Sequence, residues 1–181
     1  NPGVNALRTP IYREMVNIVN GLEVTFADFK FDRTNLETII NTSQFSNQRQ
    51  ITRSILTWWA FEHPNQLLFS LDTRLDIEHI YARNRGKHET LSNENNLELL
   101  GNKSLLEQRI NIRASDYRFA DKAKYYLGSV GSDGGRKGTS IQELQDLCTQ
   151  KSDFLESDIL DRNKRIVNGF CDYLDRICLL K

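Results

Sequence analysis

Glu78 and His79 stand at the end of an alternating run, Leu75-Asp76-Ile77-Glu78-His79-Ile80, and two asparagines, Asn102 and Asn111, follow nine positions apart. A phosphodiester resists neutral water because water is a poor nucleophile and the phosphorane that develops is negatively charged. A histidine with a pKa near neutrality takes the proton from water at physiological pH. A divalent cation held by oxygen ligands neutralises charge on the non-bridging and leaving oxygens. The stretch offers the groups for such a reaction: an imidazole, a carboxylate and amide oxygens. Nothing else in the 181 residues proposes a chemistry.

Positioning decides whether these groups act together. Successive strand residues point to opposite faces, so Glu78 and His79 converge on one substrate only if the strand ends or bends there. The break into a polar loop after Tyr81-Ala82 supplies such an end. Asn111 would offer its carbonyl oxygen to the same metal. Asn102, beside Gly101 in a turn, is better placed to fix the loop or the imidazole through hydrogen bonds. A lone histidine at a strand end is commonly just a partly buried, hydrogen-bonded side chain; the order of the residues and the strand context raise this one above that reading.

Local charge fits a polyanionic substrate. Arg83, Arg85 and Lys87 occur with no acid between Ile80 and His88, and Arg109, Arg113 and Arg118 flank Asn111. Together they would contact phosphates on either side of the cut. For any one of them, a solvated surface side chain is an equally good expectation. His88 reads as a loop histidine, and His63, before Pro64, as structural.

The elements around this stretch read as mostly helical. Thr9-Pro10 opens a helix carrying Ile11, Met15, Ile18, Val19 and Leu22; Asp32 caps a second with Leu36, Ile39 and Ile40. Ser46 or Asn47 caps a third, with Ile51, Ile55, Trp58 and Trp59, ended by His63-Pro64. Adjacent aromatics on a helix point about 100° apart, so at most one of the two tryptophans faces any single partner. Leu68 to Leu71 and Leu75 to Ile80 alternate like strands, a polar loop runs from Ala82 to Asn96, and Leu97 to Leu106 reads as a second strand with a turn near Gly101. Asn111 falls where a helix begins or a loop tightens. Residues 117–127 suit a helix. Gly128 to Ser140 holds five of the ten glycines without the spacing of a phosphate-binding loop, and reads as a connector. Two helices close the chain, from Ser140 to about Thr149 and from Ser157 to Leu180. The expected division is a helical layer (1–70), the strand-bearing core (71–127), and the connector with the last helices (128–181), all within one compact domain.

The length allows one substantial core. Lys plus Arg equals Asp plus Glu, 24 each, so no global field draws the chain to polyanions and nucleic-acid binding needs a local patch. Cys148, Cys171 and Cys178 form no CxxC pair, and their odd number argues against a disulfide framework or zinc knuckle. Small buried hydrophobes in a reducing, cytoplasmic setting are expected. No apolar run reaches membrane-spanning length. The start at Asn1-Pro2-Gly3, with Met15 the only methionine, reads as a piece of a longer protein.

Glu78-His79-Ile80, Leu100-Gly101-Asn102-Lys103-Ser104-Leu105-Leu106, Asn111 and Phe119 to Lys122 resemble the C-terminal nuclease domain of GmrSD-type modification-dependent restriction endonucleases. More broadly they are similar to the HNH, or His-Me finger, nucleases, and the interval between the asparagines resembles that of the HNH domain in RNA-guided nucleases. The motif-bearing part covers roughly residues 75–127. The resemblance implies an α+β fold: a small ββα-metal (His-Me finger) nuclease core embedded in a mostly helical domain. It implies His79 as general base, Glu78 and Asn111 as ligands of Mg²⁺ or Mn²⁺, and Asn102 as the residue positioning loop and base. Lys122 becomes a phosphate or structural contact. Ala82 stands where the family often has proline, and Lys103 replaces the usual leucine, a change expected to affect packing only. The implied activity is metal-dependent endonucleolytic cleavage of DNA in a bacterial anti-phage or restriction system, with an N-terminal nucleotide-hydrolysing sensor domain as partner and no membrane. The alternatives are an RNA-cleaving toxin on the same finger and a catalytically silent nucleic-acid-binding module.

Overall fold

The computed structural model describes residues 8–25, 30–130, 136–177 and 179–180. The chain divides into two compact units, Ser43–Ile166 and the combination of Asn1–Thr42 with Val167–Lys181. In the second of these, α1 spans Arg8–Val19 and α2 spans Arg33–Thr42. Asp32 caps α2 as expected, its Oδ1 accepting from the Asn35 N–H at 2.8 Å. Arg33 at the first turn of α2 joins Glu37 and Asp172.

The unit Ser43–Ile166 holds the sheet. β1 (Leu75–His79) pairs antiparallel with β2 (Lys103–Glu107), with Glu78 opposite Ser104 and His79 opposite Lys103. α3 (Gln50–Glu62) precedes β1, a single turn α4 (Arg83–Gly86) lies in the loop between the strands, and α5 (Gln108–Ala114) leaves β2 directly. α6 (Phe119–Tyr126), α7 (Gln142–Gln150) and α8 (Glu156–Arg176) follow. The fold is α+β, helices around a small ββα arrangement of β1, β2 and α5. None of the helices among the described residues is long and apolar enough to cross a membrane.

Two expected strand segments are not strands. Leu68 to Leu71 forms no strand pair among the described residues, and Leu68 and Leu71 are exposed; alternation alone does not make a strand. Residues 94–98 and 100–102 form 3₁₀ turns, so β2 begins only at Lys103. Neither Ser46 nor Asn47 caps α3, whose preceding residue Arg49 carries no side-chain cap. The expected stop holds: α3 ends at Glu62 and His63 is extended. Cys148 and Cys171 are free thiols, and burial pushes Cys148 up to about 12. Cys178 and residues 131–135 of the connector lie outside the described residues.

The core beneath the sheet is apolar, with Ile80, Leu100, Leu105, Leu106, Phe119 and Phe154 essentially without solvent contact. α8 grips the turn before β2 through its backbone. Arg162, also buried, donates from Nη1 to the carbonyls of Leu100 (3.1 Å), Gly101 (3.0 Å) and Lys103 (2.7 Å), while Glu143 on α7 neutralises its other edge. Asn163 Oδ1 accepts from the Gly101 N–H at 3.1 Å. This approach needs glycine at 101: a Cβ there would sit 2.0 Å from the Ile159 carbonyl oxygen and 2.7 Å from the Asn163 nitrogen. Gly101→Ala is expected to cost at least about 2 kcal/mol by forcing α8 off the turn, measured as a lowered midpoint in urea unfolding; an unchanged midpoint would refute the grip.

Candidate active site

Asn102 sets the end of β1. It is fully buried. Its Oδ1 accepts from the Tyr81 N–H at 2.7 Å, and its Nδ2 donates to the carbonyls of Tyr81 (3.1 Å) and Leu97 (3.0 Å). Its own carbonyl accepts from the Ile80 N–H at 2.9 Å. The main chain just after His79 is therefore clamped from both sides by one residue. Ala82 next to it has φ −63° and ψ 134°, a backbone a proline could adopt, so the alanine at this position keeps a proline-like form.

His79, the last residue of β1, is buried on the face it shares with its cross-strand partner Lys103. Its Nε2 lies 3.4 Å from Glu98 Oε1 without hydrogen-bond geometry, and among the described residues that nitrogen has no hydrogen-bond partner. Glu98 is held in place by Lys103 Nζ (2.6 Å) and Arg83 Nη2 (2.6 Å). Lys103 Nζ also donates to Asn47 Oδ1 at 2.7 Å. Burial, and then the positive charges of Lys103 and Arg83, push the His79 imidazole down to about 4, against the pull of Glu98. At neutral pH it is an uncharged proton acceptor. Lys103 does more than alter packing: it is a buried cation that fixes the Glu98 carboxylate beside His79.

Glu78 points to the opposite face. Its Oε1 accepts from Lys122 Nζ and from Tyr126 Oη, both at 2.6 Å, and Lys122 also donates to the His79 carbonyl at 2.6 Å. Glu78, Lys122 and Tyr126 are all buried. Burial pushes the Glu78 carboxyl up, opposed by Lys122 and Tyr126. The strand alternation does not break at this point, so Glu78 and His79 do not converge. A divalent ion on Glu78 would sit against the Lys122 ammonium, and this carboxylate does not fit a metal.

Asn111, half-buried on α5, meets another acid: its side-chain amide is 3.4 Å from Asp76 Oδ2. Asp76 shares the Glu78 face of β1. A carboxylate and an amide, whose oxygen and nitrogen ends exchange by a flip, are a hard-donor pair suited to Mg²⁺, which keeps most of its ligands as water. No cluster of three or more His, Cys, Asp or Glu side chains suited to a metal occurs among the described residues.

The basic residues divide sharply. Arg85 is buried, forked onto Asp153 at 2.7 and 2.8 Å, bonded to Glu89 and stacked over the Tyr81 ring, so it braces the loop and offers nothing to a phosphate. Lys122 likewise is internal. Arg83 is exposed but paired with Glu98. Lys87 and Arg109 are exposed, and Arg113 is half-buried. Glu98 and Lys103 lie beside His79 and Asp76 beside Asn111 on the other face; sequence reasoning gave Glu98 and Asp76 no role and Lys103 only a packing one, and the signal for Lys103 and Asp76 was their place in the strand alternation beside the motif residues.

Two measurements check this geometry. Lys122→Met removes the counter-charge of a buried carboxylate and is expected to cost about 3–5 kcal/mol in urea unfolding, whereas a cost under about 1 kcal/mol would place the pair in solvent. In an NMR titration His79 is expected to protonate near 4. Because the unfolded chain binds that proton near 6.5 and the folded chain only near 4, stability declines as pH falls across that window. A His79 titrating at 6.5 or above would contradict the buried environment.

Comparison with known families and proteins agrees with the motif. The family model described as GmrSD restriction endonucleases, C-terminal domain, matches residues 25–168. No curated protein and no solved structure matches the chain. The family match spans most of the sequence and contains the Glu78-His79 strand end, the Asn102 clamp, Asn111 and Lys122. The chain belongs to the family of GmrSD restriction endonuclease C-terminal domains, and its role is that of a nuclease domain in restriction.

Proposed function

We propose that this domain hydrolyses DNA phosphodiester bonds, with His79 as the general base of an HNH, His-Me finger reaction. The observation that carries the reading is the state of His79: uncharged at neutral pH, with a buried Nε2 that has no hydrogen-bond partner among the described residues, at a strand end immobilised by Asn102. Water attacks phosphorus as its proton passes to the imidazole. The bond to the 3′-oxygen breaks, and that oxygen takes a proton from solvent. Glu98, anchored by Lys103 and Arg83, lies where it stabilises the imidazolium formed in this step. Arg83, exposed beside the base, is the nearest surface guanidinium for the phosphate.

Mg²⁺, or Mn²⁺, is the proposed cofactor, and its contribution when bound is to neutralise charge on the phosphate oxygens. Of this chain's residues, Asn111 with Asp76 fits it and Glu78 does not. The pair lies on the other face of β1 from His79, so the proton transfer to His79 is drawn from that residue alone. An N-terminal nucleotide-hydrolysing domain in the full-length protein, a cytoplasmic location and an anti-phage role complete the proposal.

The test is supercoiled plasmid and an RNA of similar length, each incubated with Mg²⁺ or Mn²⁺ and the full-length protein. Expected is cation-dependent nicking or linearisation of the plasmid, reduced at least about 10²-fold in His79→Ala. Cleavage of RNA alone would assign the toxin reading, and binding without cleavage the silent module. Asp76→Asn is expected to weaken Mn²⁺ binding, followed by electron paramagnetic resonance, while Glu78→Gln lowers stability and leaves Mn²⁺ affinity unchanged. The reverse pattern would return the metal to Glu78.

A further inference from the structure

The cations around His79 are engaged by carboxylates: Arg83 and Lys103 by Glu98, Arg85 by Asp153 and Glu89, Lys122 by Glu78, Arg162 by Glu143. Five others are not. Arg74, Arg109, Arg113, Arg136 and Lys137 line one open groove of about 1320 Å³, and none of them makes an ion pair among the described residues. In a chain of zero net charge this segregation is a local positive surface.

The groove is built, not incidental. Two carboxylates border it, Asp72 and Glu107. Glu107 accepts from Thr139 Oγ1 (2.6 Å), the Ser140 N–H (2.7 Å) and Ser140 Oγ (2.6 Å), so this acid anchors the segment that carries Arg136 and Lys137, and the five cations still outnumber the two carboxylates of the lining. The same segment is tied to the end of α6 by Thr139 N–H to the Tyr126 carbonyl (2.7 Å) and Arg136 N–H to the Gly128 carbonyl (3.1 Å). Gly128, at φ +73°, makes that approach possible: a Cβ there would lie 2.0 Å from the Arg136 carbonyl oxygen. Arg109 and Arg113 stand one turn apart on α5, and Asn111 lies on the same helix, turned toward Asp76.

We propose that this groove holds the sugar-phosphate backbone of the DNA flanking the cleaved bond, with Arg74, Arg136 and Lys137 extending the contact begun by Arg109 and Arg113. The proposal rests on the DNA-nuclease reading above. Charge complementarity selects the occupant, and the volume exceeds the roughly 300–1,000 Å³ of small-molecule pockets. The cations come from three separate segments, the residue before β1 (Arg74), α5 (Arg109 and Arg113) and residues 136–137, which suits a repeating phosphate chain. Leu68 and Ile112 on its rim are open to solvent and placed for apolar contact with sugars or bases.

The test uses the full-length protein carrying His79→Ala, so that DNA is bound and not cut, with duplex binding read by fluorescence anisotropy over a salt series. Adding Arg136→Gln with Lys137→Gln is expected to lower the slope of log K against log salt by about 2 and to weaken binding at least about tenfold at the lowest salt. The exposed α8 pair Lys164→Gln with Arg165→Gln, carrying the same loss of charge, is expected to leave the slope unchanged. An unchanged slope in the groove variant, with plasmid nicking intact in the otherwise native protein, would overturn the groove alone. Equal slope loss in both variants would reduce the effect to net charge and overturn it as well. Absence of both DNA binding and nicking in the native protein would overturn the nuclease reading and the groove with it.

Discussion

The side chain of Asn102 has no contact with solvent and makes three hydrogen bonds, all to main chain: the N–H and carbonyl of Tyr81 and the carbonyl of Leu97. A buried amide loses its hydration, so each of these bonds replaces water that could not otherwise be recovered. With its own carbonyl holding the Ile80 N–H, the residue stops β1 at His79 and starts β2 at Lys103. The strand register, the cross-strand contact of His79 with Lys103, and the position of Glu98 all follow from that stop. Arg162 and Asn163 secure the turn from outside, and Gly101 lets them approach.

The two faces of β1 then have different physics. On one, Glu78, Lys122 and Tyr126 form a sealed ionic cluster whose ammonium also grips the His79 carbonyl. Such a buried pair is costly to desolvate and is strongly destabilising once one partner is lost, which makes it a device for fixing a backbone position. On the other, His79 sits among two cations and one carboxylate, and burial with the cations keeps it uncharged. A neutral imidazole on a rigid mount is what the proposed water activation asks of this chain's own residues.

The histidine strand was legible because its alternation is local: residues 75–80 carry their own period, although from Ile77 onward both faces of the strand are buried. Helices α3 and α8 were legible from their period, with the expected Ile55, Ile159 and Ile166 buried, whereas α1 forms although its expected Ile11, Met15, Ile18 and Val19 are exposed. Leu68 to Leu71 shows the limit, since an alternating pattern alone does not seat a segment on a sheet, and Leu68 and Leu71 stay exposed. The site network was illegible because its partners meet only through tertiary structure: Glu78 and Lys122 are 44 residues apart, and Asp76 and Asn111 are 35 apart. Convergence of Glu78 with His79 required a bend in β1, and the strand keeps its alternation to the end. Lys103, a charge at a position where leucine is usual, is buried because Glu98 and Asn47 satisfy its ammonium.

The claim that His79 is the base is tested most directly by chemical rescue. In His79→Gly the clamp of Asn102 on the neighbouring backbone remains, and a space the size of an imidazole opens beside Glu98. Plasmid nicking by this variant of the full-length protein is expected to be lost and then restored by added imidazole, in proportion to the uncharged form of the added base. Nicking by His79→Gly at the native rate without imidazole would contradict the account.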